Sequence, residues 1–206
     1  MGKVTVDMSM SLDGFIAGPN DSVENPLGDG GERLHEWVYE LASWRERHGI
    51  AGGRTDTDAE ILDEAFENTG AVVIGKRMFD VANGWGDNPP FHMPAFVITH
   101  DAREKLVKKG GTTFTFVTDG VESALDQARA AAGDKDVSVA GGANVIQQYL
   151  SAGLLDEIQI HLVPVLLGEG VRLFDQLGAE QIELKRIRVI ESPSVTHLRF
   201  RVVKEN

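Results

Sequence analysis

Three short stretches, each an apolar run that gives way to a polar or glycine-bearing junction, hold the residues best suited to chemistry. In VVIGKRMF, Gly75 closes the run, and Lys76 and Arg77 open what reads as a helix. Free amides at a helix start, the positive end of the helix dipole and two cations together suit a phosphate. The same three residues would equally serve as a turn with two solvated basic side chains. In VITHDARE, Thr99, His100 and Arg103 could bring hydroxyl, imidazole and guanidinium to a second phosphate, while Asp101 is a plausible helix N-cap. In VSVAGGANVIQQYL, Gly141 and Gly142 separate a strand from a helix whose Val145, Ile146, Tyr149 and Leu150 face inward. Two residues without side chains let a pyrophosphate reach the backbone, although close helix-on-sheet packing also favours glycine.

Other chemistries lack their motifs. The glycines do not form GxGxxG, no HExxH pairs the six histidines on a helix, and neither GxSxG nor GxxxxGK[ST] occurs. With no cysteine there is no disulfide, thiolate nucleophile or Cys-based metal site. His161 in IQIHLVPV reads as a strand residue, and Asp56, Asp58 and Glu60 read as a solvated loop and helix start, so no metal site is expected. Asp13 is either a pocket acid or the turn residue of SLDGF, and Glu169 in LLGEGV is equally two-sided.

The elements that must position these residues follow from periodicity. Residues 4–10 alternate as a strand, and Asp13-Gly14 signals a tight hairpin into FIA. Residues 18–31, rich in Gly, Asn, Asp and Pro, predict a flap-like loop. Leu34, Trp37, Val38, Leu41 and Trp44 recur at helical spacing, predicting one helix over 32–48 that stops at Gly49. A second short helix, capped by Thr57 or Asp58, carries Ile61, Leu62, Ala65 and Phe66 on one face. From residue 71 on, apolar runs alternate with helical segments: AVVIG, KRMFDVA, AFVIT, DAREKLV, TFTFV, VESALDQARAAA, VSVAGG and ANVIQQYLSAG. That alternation predicts parallel strands with crossover helices. EIQIHLVPVLL, QIELKRIRVI and SVTHLRFRVV lack such crossovers and should pair antiparallel. The expected architecture is α/β: a mixed, mostly parallel sheet with an antiparallel C-terminal edge, flanked by helices.

At 206 residues with no linker or repeat, the chain reads as one domain over 1–206. Its 32 acidic against 20 basic residues give a formal charge of −12, which disfavours nucleic-acid backbones and anionic membranes as partners. No apolar stretch approaches the roughly 20 residues of a membrane helix, so a cytoplasmic location is expected.

Taken in order, SLDGFIAG, VVIGKRMFD, VITHD, VAGGANVIQQYL and GLLDEIQIHLVPVLLGEGVRLF resemble the dihydrofolate reductase superfamily, in particular the C-terminal reductase domain of riboflavin-biosynthesis deaminase-reductases. The resemblance implies an eight-stranded mixed sheet, NADPH as hydride donor and a homodimer. It implies that Gly141, Gly142, Ala143, Asn144 and Val145 cradle the pyrophosphate, that Gly75, Lys76 and Arg77 hold the adenosine-side phosphates, and that Thr99 and His100 lie near the 2′-phosphate. Ser9, Ile16 and Ala17 would border the nicotinamide beneath the flap. Met78 stands where dihydrofolate reductases usually place a hydroxyl residue. Asp29 and Glu32 lie near the place of the acid that grips the pterin in those enzymes, and Glu32 and Asp13 are the catalytic candidates. The expected activity is reduction of a small heterocyclic substrate, related to that of 5-amino-6-(5-phosphoribosylamino)uracil reductase. The alternatives are a folate or pterin reductase, an NADPH-binding protein without turnover, or a dimerising scaffold.

Overall fold

The computed structural model describes residues 2–178 and 181–204; the remaining positions of the expected 1–206 domain lie outside the described residues. In chain order the strands are β1 (Val4–Ser11), β2 (Phe15–Ala17), β3 (Thr69–Gly75), β4 (Pro94–Ile98), β5 (Leu106–Val107), β6 (Thr113–Val117), β7 (Asp136–Gly141), β8 (Glu157–Val163), β9 (Val171–Arg172), β10 (Leu184–Glu191) and β11 (Thr196–Val202). The helices are α1 (Glu36–Tyr39), α2 (Ala42–Arg47), α3 (Thr57–Asn68), α4 (Lys76–Val81), α5 (Val121–Ala132) and α6 (Ala143–Ser151). Nine strands form one sheet in the order β10-β11-β8-β1-β7-β3-β4-β6-β5. The six from β8 to β6 run parallel, and β11, β10 and the short β5 run antiparallel to their neighbours. The sheet thus has nine strands where the resemblance implies eight, and β5 is only two residues long.

The sheet has two unlike faces. On one, Val4, Val6, Val73, Val137, Val139, Ile158 and Ile160 pack against α5 and α6 in the largest core cluster. Helix α5 meets it with Val121, Ala124, Leu125 and Ala128, spaced three and four apart, and the buried Tyr149 hydroxyl of α6 donates to Val121 O at 2.9 Å. The opposite face is apolar under α4, where Ile74, Phe79, Val97 and Phe114 cluster. Toward β1, β8 and β11 it turns polar, with Asp7, Ser9, Gln159, His161, His197 and Arg199 at strand spacing.

Four local expectations are corrected. The single helix over 32–48 is a 3-10 turn at Gly31–Leu34 followed by α1 and α2. The break falls at Leu41, whose φ of −78° and ψ of 139° are extended. There the returning loop takes over the backbone bonding: Arg54 N donates to Glu40 O at 2.7 Å, and Ala42 N donates to Arg54 O at 2.9 Å. DAREKLV forms no helix, because Thr99 Oγ1 accepts from Asp101 N in a local turn and Leu106–Val107 join the sheet edge as β5. The SLDGF turn forms, with Gly14 N donating to Ser11 O at 3.0 Å, but no hairpin follows, since β2 pairs with β9. Helix α3 is capped by Asp56, neither Thr57 nor Asp58, through its carboxylate and the amides of Asp58 and Ala59.

The Asp13 carboxylate explains the missing hairpin. It accepts from Ser11 Oγ at 2.6 Å and from the amides of Leu167 and Gly168 at 3.1 and 2.7 Å, tying the turn to the loop after β8. The Ser11 hydroxyl, with those amides, brings its pKa down to about 2 from 3.8. A lowered carboxyl pKa stabilises the fold above the unfolded value, and the contribution disappears as pH falls through the folded one. Asp13→Ala should therefore be less stable than wild type at pH 7 in urea titrations, with the gap closing between about pH 4 and pH 2. A gap that persists undiminished at pH 2 would show that the carboxylate's charge is not what holds the loop.

Candidate functional site

A cavity of about 610 Å³ opens over the polar end of the sheet, within the range of small-molecule sites. Its floor is Asp7 and Ser9 of β1, Gln159 and His161 of β8 and Arg199 of β11. One wall comes from Trp37 and Tyr39 of α1 and Trp44 of α2, and another from Leu62, Ala65 and Phe66 of α3. Met78, Trp85 and Phe91 close the third side, and Pro26 and Leu27 of the flap form the rim. Trp37 lies with its ring 4.7 Å from that of His161, and its indole N–H donates to Ser9 Oγ at 3.0 Å.

The charges of the cavity are largely committed. Arg47 donates to Pro90 O and Phe91 O and stacks 3.7 Å over Phe66, and burial lowers its pKa. Arg199 is shared between Glu157 at 2.8 Å and Glu64 at 2.7 Å. Burial alone would push the Glu64 carboxyl up, but Arg188 and Arg199 hold it below the usual range. Tyr39 donates to Glu32 Oε2 at 2.7 Å, and burial together with that carboxylate pushes the phenol up. Among the described residues, the acids Asp7, Glu32, Glu64, Asp136 and Glu157 line the space against two guanidinium groups, so the cavity is electronegative.

The glycine corner adjoins this space. Gly75 sits against α6: a Cβ there would lie 2.9 Å from Val145 Cγ2 and 3.7 Å from Gly142 N. Gly141 has a φ of +126°, and its missing Cβ would lie 3.3 Å from Met78 Sδ and 3.6 Å from Met8 Cε, both methionines of the cavity wall. Gly142 has ordinary extended dihedrals and open space where a Cβ would stand. It caps α6, whose first turn, beginning Ala143-Asn144, presents free amides. Such a cradle, with no side chain in the way, fits a dinucleotide's pyrophosphate.

The remaining candidates are spread around this corner. Lys76 pairs with Asp80, and Arg77 donates through Nε to Asp21 of the flap at 2.9 Å, so both cations have carboxylate partners. Thr99 is buried in its turn and His100 is exposed at the end of β4. Ser9 is on the cavity floor, Ile16 belongs to the main core and Ala17 lies beside Gly170. Glu32 lines the cavity; Asp29 instead accepts from Asn20 and Asn25 within the flap. Asp13 is not among the lining residues, and Glu169 is exposed.

Sequence reasoning missed Asp7, Asp58 and His197 and undervalued His161. Asp58 is no solvated helix start: it is 1% exposed and contacts His197 Nε2 at 3.0 Å. The available signal was polar residues at spacing two (Asp7 and Ser9, Gln159 and His161, His197 and Arg199) in runs that otherwise read as core strands.

The profile of one protein family, the RibD C-terminal domain, matches residues 2–197. The uncharacterized protein YyaP of Bacillus subtilis (strain 168) is 23% identical over 195 residues, which cover 90% of this chain and 86% of that protein. The riboflavin biosynthesis protein RibD of Corynebacterium ammoniagenes is 25% identical over 82% of this chain, which spans only 44% of RibD. Among solved structures, a putative riboflavin biosynthesis protein from Shewanella sp. PV-4 superposes with a TM-score of 0.67 at 22% identity, covering 98% and 99% of the two chains. A deaminase/5-amino-6-(5-phosphoribosylamino)uracil reductase from Thermotoga maritima gives 0.59 at 15% identity over 98% of this chain and 57% of its own. Dihydrofolate reductase from Enterococcus faecalis, complexed with NADP(H), gives 0.57 at 11% identity, covering 98% of both. At these identities the structural likenesses establish a dihydrofolate-reductase-like fold. Among the described residues no helix is long and apolar enough to cross a membrane.

Proposed function

The chain belongs to the RibD C-terminal domain family, and from that premise we propose that it is an NADPH-dependent reductase acting on a small planar nitrogen heterocycle. The observation that carries this reading is the shared wall: Met8 and Met78 separate the glycine corner from the aromatic cavity by a single side-chain layer. A dinucleotide along Gly141, Gly142 and the start of α6 would have its nicotinamide end directed toward Ser9 and the cavity floor. NADPH held there would supply a hydride to the acceptor carbon. The chain's own contribution is to hold both partners in near-attack geometry, with Trp37 and the flap excluding water.

The acceptor resembles that of 5-amino-6-(5-phosphoribosylamino)uracil reductase in its heterocycle but not in its phosphate. Both arginines of the cavity are engaged and its carboxylates outnumber them, which favours a neutral ring rich in amino and N–H donors. Glu32, facing the cavity, gives a pterin-like acceptor a specific claim as the second reading, because a carboxylate pairs with an aminopyrimidine edge.

Fluorescence titration with NADPH and NADH tests the cofactor. NADPH oxidation is then followed with 5-amino-6-(5-phosphoribosylamino)uracil, its dephosphorylated form and 7,8-dihydrofolate. Selective NADPH binding and fastest turnover of the dephosphorylated uracil are expected. Dihydrofolate turnover would favour the second reading. Binding without oxidation of any of the three would make this a nucleotide-binding protein, and no binding would end the reductase reading. The proposed homodimer is checked by light scattering, which should give the mass of two chains.

A further inference from the structure

Four titratable side chains form a line that starts in the cavity floor and runs beneath it. Asp7 Oδ1 lies 2.6 Å from His161 Nε2, His161 Nδ1 lies 2.6 Å from His197 Nδ1, and His197 Nε2 lies 3.0 Å from Asp58 Oδ1. Asp7 and His161 line the cavity, whereas His197 and Asp58 are 3% and 1% exposed. Trp37 covers both imidazoles, with ring centroids at 4.7 and 5.4 Å.

The number of protons in this line follows from its geometry. Three contacts at these distances are hydrogen bonds, and each needs one proton between its two atoms. Ionised carboxylates bring none and a neutral imidazole brings one. With only two protons, both imidazoles would donate Nε2–H outward to the carboxylates, and two bare Nδ1 lone pairs would face each other at 2.6 Å. That contact is attractive only if a third proton lies in it. The line therefore holds one proton more than two neutral imidazoles carry.

The shorter carboxylate contact, 2.6 Å at His161 against 3.0 Å at His197, points to His161 as the holder of that proton. Burial pushes His197 down, keeping it neutral. Burial alone would push the Asp7 carboxyl up, but the charge of His161 and its hydrogen bond bring it below the usual range. Gln159 Nε2 donates to Asp7 Oδ2 at 3.0 Å, and Arg199, bound by Glu157 and Glu64, adds its field from β11. At the far end Arg54 Nη2 approaches the otherwise unbonded Asp58 Oδ2 to 3.9 Å. His35, held neutral by burial, is near His161 on the 3-10 turn side, and Glu32 is committed to Tyr39.

We propose that the Asp7–His161–His197–Asp58 line stores the proton that accompanies hydride transfer in this cavity, and that Asp7 hands it to the acceptor. The proposal rests on the reductase reading above. The hydride pair forms the new C–H bond at the acceptor's C=N or C=O carbon, the π pair moves to nitrogen or oxygen, and that atom takes the proton from Asp7. Asp7 has drawn it from His161 Nε2. His161 is then neutral, still donating Nδ1–H to His197, with its Nε2 lone pair against the Asp7 carboxylate. That pairing repels, so water in the emptied cavity returns the proton. His197 and Asp58 are positioning residues that fix the His161 tautomer.

Ligand-free protein labelled with 15N-histidine tests the store by NMR. At pH 7 the expected result is one imidazole protonated on both nitrogens, one on Nε2 alone, and a far-downfield bridging proton. Two neutral Nε2–H imidazoles without a bridge overturn the proposal. Delivery is tested with Asp7→Asn and 5-amino-6-ribosylaminouracil as acceptor. NADPH affinity should stay unchanged while turnover falls by about 100-fold or more. Wild-type turnover is expected to decline with rising pH, and that decline should vanish in the variant. Unchanged turnover, or an unaltered pH profile, overturns the assignment of Asp7. Absence of NADPH binding would sink the reductase reading and the delivery step with it, and the imidazole spectrum decides the store in either case.

Discussion

Gly142→Val is expected to weaken NADPH binding by roughly 100-fold or more, equivalent to about 2.7 kcal/mol, while leaving the unfolding temperature unchanged. Gly142 is the one position of the corner where binding and folding separate. Its φ of −70° and ψ of −173° suit any residue, and a Cβ there meets nothing of the protein within 4 Å. The added side chain would project into the open space over the start of α6, where a pyrophosphate must approach the amides. Its neighbours behave differently. Gly75→Ala drives a methyl to 2.9 Å from Val145 Cγ2, and such overpacking costs about 1–3 kcal/mol of stability. Gly141→Ala forces a φ of +126° on a residue with a side chain and crowds Met78. Fluorescence titration and thermal unfolding of the three variants distinguish these outcomes. Wild-type affinity in Gly142→Val would show that the dinucleotide does not run along α6.

The three acids at 56, 58 and 60 give the second large contrast. Asp58→Ala should destabilise the fold by about 1–3 kcal/mol, because it leaves the buried, neutral His197 Nε2–H without its acceptor. On a total stability of about 5–15 kcal/mol, that loss is a sizeable share. Asp56→Ala removes the α3 cap and an ion pair with Arg54 that is partly open to solvent, a loss of about 1 kcal/mol. Glu60 is exposed, and Glu60→Ala should change little. Urea unfolding at pH 7 ranks the three. Equal effects at 56 and 58 would mean that the His197 contact contributes nothing beyond the cap.

The parts legible in the sequence were those set by local periodicity. Alternation placed β1, short apolar or strand-like runs placed β3, β4, β6, β7, β8, β10 and β11, and the helical segment VESALDQARAAA and the spacing of Val145, Ile146, Tyr149 and Leu150 placed α5 and α6. The alternation of strand and helix required parallel pairing, and its cessation after α6 marked the antiparallel edge. The glycine corner was legible because its glycines stand where strand-like runs pass into helical ones, although of the three only Gly141, with its φ of +126°, is required by its own backbone.

Residues 32–48 mark the limit of that logic. Helical spacing of Leu34, Trp37, Val38 and Leu41 was real, and all four are buried, yet the helix breaks at Leu41 because Arg54, thirteen residues on, supplies the backbone partners. The line from Asp7 to Asp58 lay further out of reach. Its members come from β1, β8, β11 and α3, and they meet only because β1 pairs parallel with β8 and β8 pairs antiparallel with β11, with His161 opposite His197. A lone histidine in a strand carries no sign of that register. The sequence by itself determined the elements, their order and the glycine turns, since these depend on each segment's own side chains. Only the tertiary structure decided which buried acids meet which imidazoles, because hydrogen bonding between distant strands is set by register and not by any property of the segments alone.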